Sequence, residues 1–538
     1  MFDLLVKNGN IYDGTGAQCY VADIGVLDGR IAAIGKLQGT SPGTSRETAV
    51  ETIDAAGLAV APGFIDLHTH SDFSFLLDAT ALSKVTQGCT LEFTGNCGFS
   101  YCAPLIDEAR RFANDRLGLY GTDTELGWEY FWQYHDSLEK AGSTVNLATQ
   151  VGHGTVRAAV MGFDDRGPTP WELDRMKGLV ADGLDDGAMG FSTGLFYAPG
   201  SYARTEEVVA LATEAAKRGK LYSTHMRDES DYSISLFGSV EESIAVGRLS
   251  GVRVQISHLK CVGPASWGKG QELLDRIDRA RAEGLDVAAD QYPYTASSTS
   301  LSGGVFPNWA LTGGREGFLA GLEAADFWDK VHAEIEVNFR RRGGPDMIVL
   351  ANFAPDRSLE GKSLAEVAKI RGSDPMSTAI YLYQETEAMV IMHSLKETDV
   401  QEIAAGRWVA VGSDGNSVST EGVLSAGKPH PRSYGTFPRF LARYVREHKV
   451  VSLAEAIRKR TELPASRLGL THRGRIAPGM WADLAIFDPE TVADTATFES
   501  PHSYATGIRH VVVNGVPVIK DGEFSGATPG RLLRKFED

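Results

Sequence analysis

The sequence predicts an α/β fold, a closed (β/α)8, TIM-like barrel with a small β-sandwich domain formed from both termini. Three observations lead there. Through the middle of the chain, apolar strand-like runs alternate with amphipathic helical ones, the pattern of a parallel sheet with crossover helices. Eight such runs are present. Several end in His, Cys or Asp, and the carboxyl ends of barrel strands are where such barrels place polar chemistry. Both ends of the chain read instead as short strands broken by Gly-containing turns.

Taken in order, DLLVKNGNIYDG, VADIGVLDGRIAAIG and TIDAAGLAVAPG form a β-meander with turns expected at Asn8-Gly9-Asn10, Asp13-Gly14 and Asp28-Gly29. The barrel strands follow at 63–70, 89–96, 145–153, 188–194, 220–226, 253–260, 286–294 and 407–415. Most spacings, roughly 25–60 residues, suit βα units. The last two strands lie much farther apart, so an insertion belongs between them. Residues 300–350, with Trp309, Trp328 and the RRRGGPD segment, are the candidate for a subdomain or lid, and 347–354 for an extra strand in it. The basic run Arg340-Arg341-Arg342 reads as a solvated helix end. Strands return at 482–489 and 508–524, with a turn at Asn514-Gly515. The domains are therefore 1–62 plus 475–538, discontinuous and strand-rich, and 63–474, the barrel.

Composition narrows the class. With 538 residues, 43% hydrophobic and 23% charged, the chain is ordinary globular material with room for one large and one smaller domain. The start carries Asp3 and Lys7 where a secretory signal needs an apolar core, and no apolar run is long enough to span a bilayer. A soluble cytoplasmic protein is expected. The cysteines, Cys19, Cys89, Cys97, Cys102 and Cys261, are few and odd in number, which argues against a disulfide framework. A formal charge of -17 opposes binding to nucleic acid or an anionic membrane surface. The expected partner is a small-molecule substrate, with the chain a monomer or a small homo-oligomer.

His68-Thr69-His70 closes the first barrel strand, and residues i and i+2 of an extended chain face the same way, so both imidazoles reach one metal. His225 ends the fifth strand, His258 the sixth, and Asp414 follows the eighth. The grouping in barrel order is the evidence, since each residue alone has a bland reading.

These residues resemble the amidohydrolase superfamily, whose first strand ends in His-x-His, whose fifth and sixth strands each offer a His and whose eighth offers an Asp. Many members bridge two metals with a carboxylated Lys ending the fourth strand. This chain has AMGFSTG there, without a Lys. The segments PGFIDLHTHSD, GNCGFS, GFSTGLFY, STHMRDES, ISHLK, GSDG and HPRSYGTF look, in the same order, like those of the D-aminoacylase family. That family is similar in using a thiolate in place of the Lys, here Cys97 just after the second strand.

A thiolate suits zinc, and Cys97, His225 and His258 form an S,N,N set that leaves one position open, as catalytic zinc requires. Gly95 and Gly98 let the backbone bend the sulfur toward the barrel mouth. His68, His70 and Asp414 form a second, weaker position, so one tight zinc site and a possible second are expected. Cys89, Cys102 and Cys261 read as small buried hydrophobes.

The resemblance implies zinc-dependent hydrolysis of N-acyl-D-amino acids to a carboxylate and a D-amino acid, and the D hand rests on it alone. Asp414 would take a proton from water and hand it to the departing nitrogen. By the resemblance, Arg432 and Lys260 contact the substrate carboxylate and Tyr197 assists; an arginine fork suits that task. His153, ending the third strand, either donates to the oxyanion or fills the barrel, and Arg227 ties its loop to Asp228 or Glu229. Leu195, Phe196 and Tyr197 form an apolar wall favouring D-Leu, D-Met or D-Phe derivatives, whereas an acidic side chain calls for a further cation that the sequence does not place. The alternative is a cyclic amidase of the hydantoinase or dihydroorotase kind, or another amidohydrolase acting on a carboxylate-bearing amide.

Overall fold

The computed structural model describes residues 1–37, 49–101, 104–118 and 126–534, so Cys102 lies outside the described residues. Parallel strands ring the middle of the chain in sequence order. Phe64–Asp66, Cys89–Phe93 and Asn146–Ala148 form one run, and Gln150–Gly152, Gly190–Gly194, Leu221–His225, Arg253–Ile256, Val287–Gln291 and Val409–Val411 the other. The runs meet at Thr149, which interrupts the third barrel strand between its two partners, and a parallel bridge from Thr69 to Gly415 closes the ring. Apart from Arg253, every residue in these strands is buried, as a parallel sheet covered by helices demands.

The outer helices are locally specified. Pro170–Asp185 starts at Thr169, whose side chain accepts from the Glu172 N–H while Glu172 reaches back, with Pro170 at the first position. Met176, Leu179, Val180 and Leu184 then fall on one face and are buried.

The chain termini supply a sheet of nine strands, in which Ala59–Pro62 pairs with both Phe2–Ile11 and Leu484–Phe487. It is one branched sheet rather than two separate ones, with its own apolar cluster including Leu4, Ile24, Val60, Leu484 and Val512. Asp28-Gly29 and Asn514-Gly515 turn with both residues at positive φ (51° and 75°, 50° and 84°), the geometry that matches strand twist. The turn expected at Asn8-Gly9-Asn10 does not form. The strand runs through it with a bulge between Val6 and Gly9, where Asn8 sits at φ 58° and donates its N–H to Asp23 Oδ1 at 2.9 Å. Bulges and turns draw on the same left-handed residues, so composition did not separate them.

Between the seventh and eighth barrel strands, Ser297–Ser300, Met389–Met392 and Ile348–Asn352 form an antiparallel sheet. A separate apolar cluster runs from Leu301 to Met392 and includes Phe318, Ile335, Leu350 and Ile380. This unit continues well past the 300–350 stretch expected. No helix among the described residues is long and apolar enough to cross a membrane.

Candidate metal centre

The carboxyl ends of the barrel strands bring the sequence-predicted ligands together. One ligand atom from each of His68, Cys97, His258 and Asp414 lies within 4.8 Å of the others, and His225, Glu229 and His258 form a second such group. Cys97 Sγ is 3.4 Å from His68 Nε2 and 3.3 Å from His258 Nε2. His70 joins through Asp414, its Nε2 3.1 Å from Oδ1. The His225 and His258 rings are 4.4 Å apart.

The backbone is strained where these side chains leave it. Cys97, His258 and Asp414 hold φ at 56°, 36° and 51°, a region side chains other than glycine rarely adopt and one that collects at functional sites. The bend around Cys97 needs its glycines. A Cβ on Gly95 would come 2.6 Å from Gln150 O, and one on Gly98 2.4 Å from Gly194 N.

Electrostatics set the protonation states. Burial works against the Cys97 thiolate, but His258 and His68 outweigh it and bring the thiol well below its ordinary range. Burial likewise opposes the Asp414 carboxylate, and Arg432, His258 and His70 overcome it, holding the group well below the usual carboxylate value. Burial lowers His225, which favours the neutral imidazole that metals take. Asp72, on the same cavity wall, is pushed up to about 6 by burial. Both ring nitrogens of His225 are buried without a hydrogen-bond partner. Such orphans are costly unless something comes to bind them. Thiolate, imidazole and carboxylate donors form a set that fits zinc.

A profile of the amidohydrolase family matches residues 51–242 and 335–519. The D-aminoacylase of Alcaligenes xylosoxydans xylosoxydans is 38% identical over 99% of this chain and 98% of its own length. The N-acyl-D-glutamate deacylase of the same organism is also 38% identical, over 99% and 96%. A crystal structure of N-acyl-D-glutamate deacylase from Bordetella bronchiseptica, complexed with zinc and a phosphonate mimic of the tetrahedral intermediate, superposes with a TM-score of 0.81 at 36% identity, covering 99% of both chains. The chain belongs to the D-aminoacylase family of amidohydrolases.

Around this amidohydrolase's cluster lies a cavity of about 390 Å3, lined by Cys97, His225, His258, Asp414, Tyr197, Lys260 and Arg432 among others. Arg432 Nη1 is 2.8 Å from Asp414 Oδ2, and its Nη2 donates to Ser298 O at 3.2 Å. Lys260 Nζ donates to Glu229 Oε1 at 2.5 Å and lies 2.7 Å from His258 Nδ1. The Tyr197 ring is 4.6 Å from that of His225, and its hydroxyl accepts from Thr299 Oγ1 at 3.1 Å.

Three expectations change. His153 Nε2 is 2.9 Å from Glu207, which also pairs with Arg157, so the ring packs into the helix layer and does not line the cavity. Of its two readings, the geometry favours the space-filling one. Arg227 bonds Glu242 at 2.9 Å and Ser201 O at 3.1 Å rather than Asp228 or Glu229. Leu195 is buried in the barrel core, leaving Phe196 and Tyr197 on the cavity wall. Cys89 and Cys261 are buried, and burial raises both thiols.

Two members of the site were missed. Asp290, from the seventh strand, faces His68 Nδ1 at 3.0 Å and accepts from the His258 N–H at 2.8 Å, which aims the opposite His68 nitrogen at the cluster. Its signal was an acid at the end of a barrel strand. Glu229, held low by Lys260 and His225 against burial, stands four residues after His225, a spacing the loop reading overlooked.

Proposed function

We propose that this chain is a zinc-dependent hydrolase of N-acyl-D-amino acids, releasing a carboxylate and the D-amino acid. The observation that carries it is His225, whose two ring nitrogens are buried without a hydrogen-bond partner, Nε2 standing 3.7 Å from Glu229 Oε1, beside a thiolate, a second imidazole and an ionised carboxylate. The names of its full-length relatives support the substrate class and the D hand.

Cys97, His225 and His258 would hold the tight zinc, and His68, His70 and Asp414 a second, weaker one. When bound, zinc supplies the Lewis acidity that polarises a carbonyl oxygen and acidifies water. Asp414 is ionised and faces the cavity, so it is the group to take a proton from water and return it to the leaving nitrogen. Arg432 and Lys260 place cations at the cavity wall for the substrate's α-carboxylate, and Tyr197 flanks them. The strain at Cys97, His258 and Asp414 fixes those side chains in advance of binding.

The test is a panel of N-acetyl-D-methionine, its L isomer and a hydantoin, assayed against zinc content. The expected outcome is turnover of the D isomer that rises with bound zinc. Hydantoin cleavage without acyl-amino-acid cleavage, or turnover independent of metal, would reject the reading.

A further inference from the structure

The three arginines of the basic run part company in the fold. Arg340 is exposed and pairs with Glu336 at 2.9 Å, and Arg341 pairs with Asp231 at 3.4 Å. Arg342, the last residue of the helix Ala325–Arg342, is only 5% exposed and lines the cavity above the metal cluster. The solvated helix end expected from the sequence is therefore buried at its final residue.

The guanidinium of Arg342 lies 5.9 Å from the Phe196 ring centre and 5.4 Å from that of Tyr232. Phe196 in turn stacks on His225 at 5.7 Å, so the cation stands one aromatic ring away from the cluster. Its Nε is buried without a hydrogen-bond partner, and it forms no ion pair among the described residues. Neighbouring acids are already engaged: Glu229 by Lys260, Asp228 by the N–H of Ser230, Asp231 by Arg341. The other cavity arginines are also committed. Arg315 donates to Gln384 O at 2.6 Å, and Arg111 pairs with Glu316 at 3.1 Å.

A guanidinium does not shed its proton when buried, so an unpaired one in a cavity wall marks a place for an anion. Aromatic faces hold it in position before that anion arrives. We propose that Arg342 receives a second carboxylate on the substrate, making the chain selective for N-acyl-D-amino acids that carry one beyond the α-carboxylate. The inference rests on the deacylase reading above. The second carboxylate has two sources, an acidic side chain such as that of D-glutamate or a dicarboxylic acyl group such as succinyl.

The test measures kcat/KM of the zinc-loaded protein for N-acetyl-D-glutamate, N-succinyl-D-methionine and N-acetyl-D-methionine. At least one dicarboxylate is expected to exceed N-acetyl-D-methionine by about tenfold or more, and which one identifies the source. Arg342→Gln is expected to lower the favoured value more than about tenfold, chiefly through KM, while N-acetyl-D-methionine stays within about twofold; Arg342→Lys recovers part of the loss. A wild type that prefers N-acetyl-D-methionine, or variants that weaken all three substrates alike, overturns the proposal. Turnover of none of the three overturns the deacylase reading itself, whereas turnover of N-acetyl-D-methionine alone overturns only the role of Arg342. Should Arg342→Gln fail to fold, judged by melting and zinc content, the wild-type ranking and Arg342→Lys decide.

Discussion

Two buried polar clusters adjoin each other at the mouth of the barrel, and they are completed differently. In the first, Lys84 Nζ donates to Asp66 Oδ2 at 2.8 Å and Ser413 Oγ at 2.6 Å, with Glu92 3.8 Å away. Glu92 accepts from Ser71 Oγ at 2.6 Å and Ser417 Oγ at 2.7 Å, and Asp66 Oδ1 accepts from the Ser413 N–H at 2.9 Å. Each charge has its partners. In the second, Cys97, the imidazoles and Asp414 crowd together while His225 keeps two buried nitrogens without a hydrogen bond, Glu229 standing 3.7 Å from one of them. Burial and charge alone do not distinguish the clusters, but hydrogen-bond completeness does. The closed network braces the loop through Ser413 and Ser417 on either side of Asp414, and the open one is the site.

Variants sharpen that contrast. The largest effect belongs to Cys97→Ala, which is expected to remove tightly bound zinc and to cost more activity than the ~10- to 100-fold typical of outer partners; metal analysis and kcat/KM report it. A variant that keeps both would break the comparison at once. Lys84→Met leaves Asp66 and Glu92 buried without their cation, so a loss of about 3–5 kcal/mol in unfolding free energy is expected, read from denaturant melts. A change below about 1 kcal/mol would mean the brace is not what holds this loop.

Asp290→Asn lies between the two kinds. Because Asp290 accepts from the His258 N–H and aims His68, zinc affinity or activity is expected to fall about 10- to 100-fold with little change in melting, measured by competition with a chelator. The smallest effect comes from a histidine outside both clusters. Burial lowers His135 from 6.5 to about 4, so between those values the unfolded chain binds a proton that the folded one does not. Its contribution to stability is thus present above pH 6.5 and lost as pH falls toward 4. Urea midpoints across that range, compared with His135→Gln, are expected to show this slope reduced in the variant and unaffected by zinc.

The eight barrel strands were legible because each is a short apolar run punctuated by glycine, and His68, His225, His258 and Asp414 were legible because they end such runs. Asn8 misled because a bulge and a turn share their backbone. Arg342 misled because a charge run at a helix end is ordinarily wet, and nothing in its neighbours records that the fold sets this residue against Phe196 and Tyr232.

Local pattern, then, determined the strand count, the order of the ligands along the chain and the glycines that bend it at Cys97, since these depend on residues a few positions apart. Only the tertiary structure decided which charges meet. Asp290 is 222 residues from His68 and Lys84 is 329 from Ser413, and such pairings follow from ring closure. Whether a buried charge is spent on a neighbour or left for a ligand depends on partners from several segments at once, a property that packing creates and no single stretch of sequence contains.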